Sequence, residues 1–205
     1  MSLFSSPHWR DTAWLTHKTN HSADRLNISG RGLADRIAIL DTRGEGSLES
    51  RLQWMKTENF SGNNGDGTFN LHGFDIRPDP KTGTLRILLV NHRPPIDPLT
   101  GAPLDAVTLG ANSTIELFHT QVGSVSMKHI KTYADPAIQT PNQVAWVNDD
   151  DFLFTNDHSA KVGFVSYIKI SIAVNDGLKN TTASPCRYPR RWWEYWTLRF
   201  TCQSL

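Results

Sequence analysis

The sequence predicts an all-β fold, and three observations support this prediction. Short segments in which apolar and polar residues alternate recur along the chain, each bounded by residues typical of turns. No long amphipathic helix is evident, and residues 46–56 form the one segment whose pattern could be helical. A strand–turn–strand unit also occurs twice, which favours a radial array of small sheets.

Six segments have the composition of β-strands, and turn residues separate them. The predicted strands lie at residues 36–42, 83–92, 113–120, 125–133, 142–147 and 151–156. Between two of them, the Pro-rich residues 92–105 are a predicted loop, and loops of this length are often functional. The acidic turn at 148–151 is compatible with a solvated hairpin or with a calcium loop.

The repeated unit places two polar residues at matching positions. Residues 71–92 and 141–158 each begin with an imidazole or an amide, His72 or Asn142, and each ends its second strand on a polar pair. The two starts are 70 residues apart, which approaches the roughly 40–50 residues of a propeller blade once the Pro-rich insertion is set aside. A propeller would turn both side chains toward a central channel, and a β-sandwich is the alternative.

The residue types at this channel favour hydrolysis assisted by a hard cation. Amide and carboxylate oxygens suit Ca²⁺, which takes about 6–8 oxygen ligands. A neutral imidazole instead accepts a proton from water, while a nearby cation polarises a carbonyl. A histidine beside a glycine in a strand is also commonly a packed structural residue, so both interpretations of His72 stay open.

Composition argues against several other classes of function. The chain of 205 residues has a net charge of +1, so we expect no nucleic-acid partner. No apolar run reaches the roughly 18 residues that span a bilayer, and the first residues lack the pattern of a signal peptide. Cys186 and Cys202 make neither a disulfide framework nor a metal cluster. The compartment is not indicated.

Six short motifs occur in the order and approximate spacing of one enzyme family. They are FNLHGF, LLVNH, STIELF, HIKT, PNQVAWV and TNDH. Between about residues 3 and 164 the chain resembles the paraoxonase/arylesterase family of calcium-dependent six-bladed β-propellers, which is related to the SMP-30/gluconolactonase group. The resemblance implies a partial propeller of about three blades and hydrolysis of a small-molecule ester or lactone. Family members are often secreted or membrane-associated, so a membrane contact is allowed.

The resemblance also implies roles for individual residues. His72 and His92 match a proposed dyad, in which His72 is the base for the attacking water and His92 is its proton partner. The backbone carbonyl of Phe74 matches a ligand of a structural Ca²⁺, and Asn142 matches an asparagine that binds a catalytic Ca²⁺. Gln143 stands where the family commonly has an aspartate that binds the structural ion. The family's opening Glu-Asp pair and its later Asn and Asp-Asn ligands have no matching residues.

The resemblance ends after Phe164, which predicts two segments. Residues 1–164 are the partial paraoxonase-like propeller, and residues 165–205 are a non-homologous tail that is disordered or mistranslated from an intron. The tail carries a net charge of +4, which leaves −3 for the first 164 residues, and it holds both cysteines and three of the seven tryptophans. Two alternatives to a hydrolase follow, a non-catalytic propeller scaffold and a non-functional gene-model fragment.

Overall fold

The fold is described by a computed structural model. It covers residues 35–62 and 67–157 in full, and the backbone of residues 3–4, 12–17, 169–174 and 177–179. Strands dominate these residues and two helices of one turn each accompany them. The predicted all-β class is therefore confirmed. The strands form three sheets.

The first sheet is an antiparallel meander whose four strands follow chain order. Its strands are β1 (Leu3–Phe4), β2 (Thr12–His17), β3 (Arg36–Asp41) and β4 (Leu52–Trp54). Within β3, Ile37 and Ala38 are buried, so this strand contributes apolar side chains to the core.

The segment at residues 46–56 is a single helical turn followed by strands, not one helix. Helix α1 spans Leu48–Arg51, and the Ser47 hydroxyl caps it by accepting a hydrogen bond from the Ser50 N–H. The helix ends because the next three residues pair with β3 as strand β4. The helical pattern in the sequence was therefore overridden by a sheet contact distant along the chain.

The second sheet has five strands in the order β5-β9-β8-β7-β6. They are β5 (Lys56–Glu58), β6 (Leu71–Pro78), β7 (Thr84–Arg93), β8 (Asn112–Gln121) and β9 (Ser126–Tyr133). Strands β6 to β9 are an antiparallel meander, and β5 adds to β9 in parallel. In the turn before β7, Asp79 accepts hydrogen bonds from the Lys81 N–H and the Thr82 hydroxyl, and Gly83 has a φ of +71°.

The Pro-rich segment between β7 and β8 is a loop, as predicted. It contains a bridge between Ile96 and Pro103 and ends in helix α2 (Ala106–Leu109), which Asp105 caps by accepting a hydrogen bond from the Val107 N–H. Gly110 follows with a φ of +73° and ends the helix, a conformation that glycine adopts without steric cost.

The third sheet is again an antiparallel meander in chain order. It comprises β10 (Pro141–Trp146), β11 (Phe152–Asn156), β12 (Lys169–Val174) and β13 (Gly177–Lys179). The acidic turn between β10 and β11 is a hairpin in which the Asn148 side-chain oxygen accepts from two backbone N–H groups. Strands β12 and β13 belong to residues 165–205, so backbone pairing joins part of the expected tail to this sheet.

The second sheet is buried on both faces. Ile87 and Leu89 of β7 pack in one apolar cluster together with Ile37 of the first sheet. Leu88 and Val90, on the opposite face of the same strand, pack in a second cluster with the third sheet. This two-sided burial accounts for the uninterrupted apolar run in β7, since successive side chains of a strand point to opposite faces.

The second and third sheets meet through β6, an edge strand of the second sheet, and β10. At Gly73 the approach is so close that a Cβ atom would lie 2.0 Å from the Gln143 side-chain oxygen and 2.3 Å from the Asn142 carbonyl oxygen. Farther along, the Trp146 N–H donates to the Asp75 carboxylate over 2.8 Å. Glycine at position 73 is therefore a requirement of the contact between sheets.

We expect Gly73→Ala to destabilise the fold, because overpacking of a close contact costs about 1–3 kcal/mol. Chemical denaturation followed by circular dichroism measures the effect. Gln143→Ala alone should be nearly neutral, since Gln143 is exposed. The double variant should recover only part of the loss, because the Asn142 carbonyl still obstructs the new Cβ. Full recovery would contradict the proposed backbone contact.

We expect the stability of the protein to show a pH dependence that originates at Asp75. Burial raises the pKa of this carboxyl above its ordinary value of 3.8, against the smaller effect of the hydrogen bonds from Trp146 and Ile76. The folded state thus favours the protonated form, and the resulting stabilisation is lost as pH rises through the raised pKa. Between about pH 3 and pH 7 the wild type should lose stability relative to Asp75→Asn.

Asp79→Asn is the matched control for this titration. Hydrogen bonds from the Thr82 hydroxyl and the Lys81 N–H lower the pKa of Asp79, so its stabilisation is present at high pH and lost as pH falls. Urea denaturation measures the free energy of unfolding of the wild type and both variants across the pH range. The difference between wild type and variant should fall with rising pH for Asp75→Asn and rise for Asp79→Asn. Equal slopes would show that burial does not govern the pKa of Asp75.

Candidate functional site

A buried asparagine fixes the end of the second sheet at which the predicted dyad lies. Asn91 is fully buried, and its side-chain oxygen accepts a hydrogen bond from the Asn70 N–H over 2.9 Å. The His92 N–H in turn donates to the Asn70 carbonyl over 2.8 Å. These bonds hold the residue before β6 against the end of β7, so that His72 and His92 are brought to the same edge.

The third sheet repeats this arrangement. The Asn156 side-chain oxygen accepts from the Thr140 N–H over 3.0 Å, and the Asp157 N–H donates to the Thr140 carbonyl over 2.9 Å. The register of the β6–β7 pair also shifts at this end, at residues 71–74, and that of the β10–β11 pair shifts at residues 141–143. The matching positions that the sequence repeat predicted for His72 and Asn142 are thus equivalent in structure.

The two predicted dyad histidines are in contact. Their ring centroids are 5.4 Å apart and the rings are nearly perpendicular, with an interplanar angle of 72°. His72 Nδ1 lies 2.9 Å from the Asn142 carbonyl oxygen. A carbonyl oxygen only accepts hydrogen bonds, so Nδ1 of His72 carries a proton.

His92 is held by a residue on the neighbouring strand. Its Nδ1 lies 3.0 Å from the Ser113 hydroxyl, and the two residues face each other directly across the β7–β8 ladder. Both are buried. The imidazole of His92 is therefore fixed by its backbone bond to Asn70 and by its ring bond to Ser113.

The residues predicted to bind calcium lie close to this pair. Asn142 contacts His72 through its carbonyl, and its side-chain Nδ2 donates to the Asp157 carboxylate over 2.5 Å. The side chain of Phe74 packs in the first core cluster, two residues beyond His72 on β6. The side-chain oxygen of Gln143 approaches Gly73.

The oxygen donors fit a hard cation in kind and fall short in number. The Asn142 Nδ2 donates to Asp157, so the neutral Oδ1 is the atom of this amide that could bind a cation. Within residues 35–62 and 67–157, however, no three His, Cys, Asp or Glu side chains form a group suited to a metal. Ca²⁺ needs about 6–8 oxygens, so a calcium site at these residues stays a prediction.

Ser113 and the two clamping asparagines were not singled out in the sequence. Ser113 begins the motif STIELF, and its contact with His92 follows from a strand register that the 18 residues between β7 and β8 conceal. The signal for the asparagines was the polar pair that ends each second strand, Asn91–His92 and Asn156–Asp157. In each pair the asparagine is structural, and the residue that follows it, His92 or Asp157, faces the site.

A further buried polar group holds β8 against β9. The Glu116 carboxylate is fully buried and accepts hydrogen bonds from the hydroxyls of Thr114 and Thr132. His129 Nε2 lies 3.0 Å from the same carboxylate. The sequence predicted no role for either residue, so the pair itself was missed.

Comparison with known proteins identifies no family for this chain. No family model matches the sequence, and no curated protein matches it. Membership of the paraoxonase/arylesterase family, inferred from six motifs, thus stays a prediction. In the part of the chain that the structure describes, no helix is long and apolar enough to cross a membrane.

We expect Asn91→Ala and Asn156→Ala each to destabilise the protein. Loss of the amide leaves the N–H of buried Asn70, or of half-buried Thr140, without its side-chain acceptor, which costs about 1–3 kcal/mol when the group is buried. Asn112→Ala is the control, because Asn112 is exposed. Thermal unfolding checks the three variants. A clamp variant as stable as Asn112→Ala would show that the amide does not hold the strand end.

Proposed function

We propose that this chain is a calcium-dependent hydrolase of lactones or aryl esters, built on part of a six-bladed β-propeller. The observation that carries the proposal is the contact between His72 and His92, with the Nδ1–H of His72 bound to the carbonyl of Asn142. With Nδ1 of His72 bound to the Asn142 carbonyl, Nε2 on the other side of the ring is the nitrogen that would accept a proton. An imidazole oriented in this way is suited to general-base catalysis.

The propeller arrangement is supported by the connectivity of the sheets. Three successive meanders follow chain order, apart from the added strand β5. The second sheet packs between the first and the third, and β6 of the second sheet contacts β10 of the third. Blades of a propeller pack face to face in this manner, with their first strands nearest the axis.

The reaction follows from the position of the lone pair on His72. Nε2 of His72 removes a proton from water while the water oxygen bonds to the substrate carbonyl carbon, and the carbonyl π electrons move onto oxygen. Collapse of this oxyanion restores the C=O bond and breaks the bond to the leaving oxygen, which takes the proton from His72. The Asn142 carbonyl stabilises the transient imidazolium because it accepts from Nδ1–H throughout.

Calcium belongs to the proposal through the oxygens beside the dyad. Asn142 Oδ1 would hold the catalytic ion, while the Phe74 carbonyl and Gln143 would contribute to a structural ion. A bound Ca²⁺ polarises the substrate carbonyl and stabilises its negative charge. Gln143 is neutral, so a structural ion held there would be bound more weakly than by the aspartate of the resembled family.

We expect His72→Gln to lower hydrolysis of phenyl acetate and δ-valerolactone by about 10²–10⁴-fold, the usual contribution of a general base. His119→Gln is the control, since His119 lies at the far end of the β7–β8 ladder, opposite Arg86. Initial rates with and without a calcium chelator provide the measurement. Chelation should abolish turnover, and calcium should restore it.

Three results would overturn the proposal. Turnover that His72→Gln leaves unchanged would remove the base. A cooperatively folded wild-type chain without turnover would instead favour the non-catalytic scaffold, and a chain that neither melts cooperatively nor binds calcium would favour the non-functional fragment.

A further inference from the structure

We infer that Asn59 is an acceptor for an N-linked oligosaccharide on the folded chain. Residues 59–61 have the sequence Asn-Phe-Ser, and the enzyme of N-glycosylation recognises an asparagine that is followed two residues later by serine or threonine. The triplet follows β5 directly and contains no residue of the candidate site. The inference therefore goes beyond the proposed function and does not depend on it.

The fold exposes the two residues of the triplet that the enzyme recognises. Asn59 and Ser61 are both exposed, whereas Phe60 between them is half-buried and packs against the first apolar cluster. The Phe60 ring stacks on Phe69 with centroids 4.8 Å apart and meets Phe118 edge-on at 5.3 Å. Phe60 thus holds the triplet to the core, while the asparagine and the serine lie at the surface.

A second triplet of this kind provides a contrast within the same fold. Residues 112–114 have the sequence Asn-Ser-Thr, and Asn112 is exposed. Thr114, however, is 1% exposed, and its hydroxyl donates to the buried Glu116 carboxylate over 2.6 Å. Recognition requires this hydroxyl, so the folded chain withholds the second triplet while it presents the first. Two further triplets lie outside the described residues, at Asn27 and Asn180.

The conformation of Asn59 offers a second reason for an asparagine at this position. Its φ is +58°, and among the described residues it is the one residue other than glycine with a positive φ. Asparagine tolerates this left-handed region better than most residues do. The two reasons can be separated, because Asn59→Gly keeps the conformation without the acceptor and Ser61→Ala keeps the asparagine without the hydroxyl.

Transfer to Asn59 requires a lipid-linked oligosaccharide pyrophosphate as the second substrate. The amide Nδ2 bonds to the anomeric carbon of the first sugar, and the bond from this carbon to the phosphate oxygen breaks. The lipid pyrophosphate leaves with the electron pair, and one proton of the amide is released. No group is oxidised or reduced. The attached glycan is bulky and solubilising, so it requires a surface position such as that of Asn59.

Glycosylation of the purified, folded full chain tests the inference. The chain is incubated with oligosaccharyltransferase and a lipid-linked oligosaccharide, and mass spectrometry of its peptides measures the occupancy of each site. We expect Asn59 to be modified and Asn112 to stay unmodified. A standard Asn-Tyr-Thr peptide shows that the enzyme is active. A folded chain without a glycan at Asn59, or equal occupancy at Asn59 and Asn112, would overturn the inference.

Three variants of the triplet complete the experiment. Ser61→Ala should lose the glycan because the hydroxyl is missing, and Ser61→Thr should keep it. Asn59→Gly should lose the glycan and unfold at nearly the same temperature as the unmodified wild type, since glycine adopts a positive φ without steric cost. Circular dichroism shows that each variant is folded. A glycan that persists at Asn59 in Ser61→Ala would overturn the role of the triplet.

Discussion

The side-chain oxygen of Asn91, buried against the N–H of Asn70, is the contact on which the candidate site depends. A buried backbone N–H needs an acceptor, and strand pairing offers none where β6 begins with a shift of register. The amide supplies that acceptor and fixes the chain just before the strand. His72 and His92 face each other because this bond, together with the bond from the His92 N–H to the Asn70 carbonyl, ties the start of β6 to the end of β7.

The same solution in the third sheet explains why a repeat is visible in the sequence. Asn156 binds the residue before β10 as Asn91 binds the residue before β6. The repeated feature is thus the hydrogen bond from an asparagine side chain that closes a two-strand unit. The residue that follows the asparagine differs between the two units. In one unit that residue is His92 and in the other it is Asp157, so similar backbones present an imidazole and a carboxylate.

The strands could be predicted from the sequence because their signal is local. The apolar run in β7 is continuous because both faces of that strand lie in the core. Alternation marks β8 as a strand, although its polar residues Thr114 and Glu116 are buried as well. The helical pattern at residues 46–56 failed for the opposite reason. Its outcome was decided by pairing between β4 and β3, which the local pattern does not contain.

The site could be predicted in its residue types and not in its contacts. The polar starts of the repeat singled out His72 and Asn142, but the bond between the His72 ring and the Asn142 carbonyl joins two different sheets. The partnership of Ser113 with His92 likewise depends on the register across a loop. Gly73 is the one residue whose sequence position hinted at this geometry, since a glycine inside a strand often marks a close backbone approach.

Hydrogen-bond direction gives chemical meaning to these contacts. Two histidines in the same environment would compete for one role, whereas here one ring faces a group that can only accept and the other faces a group that can donate. The carbonyl belongs to the third sheet and the hydroxyl to the second. Packing of the two sheets through Gly73 therefore does more than bury apolar surface, because it brings the acceptor that distinguishes His72 from His92.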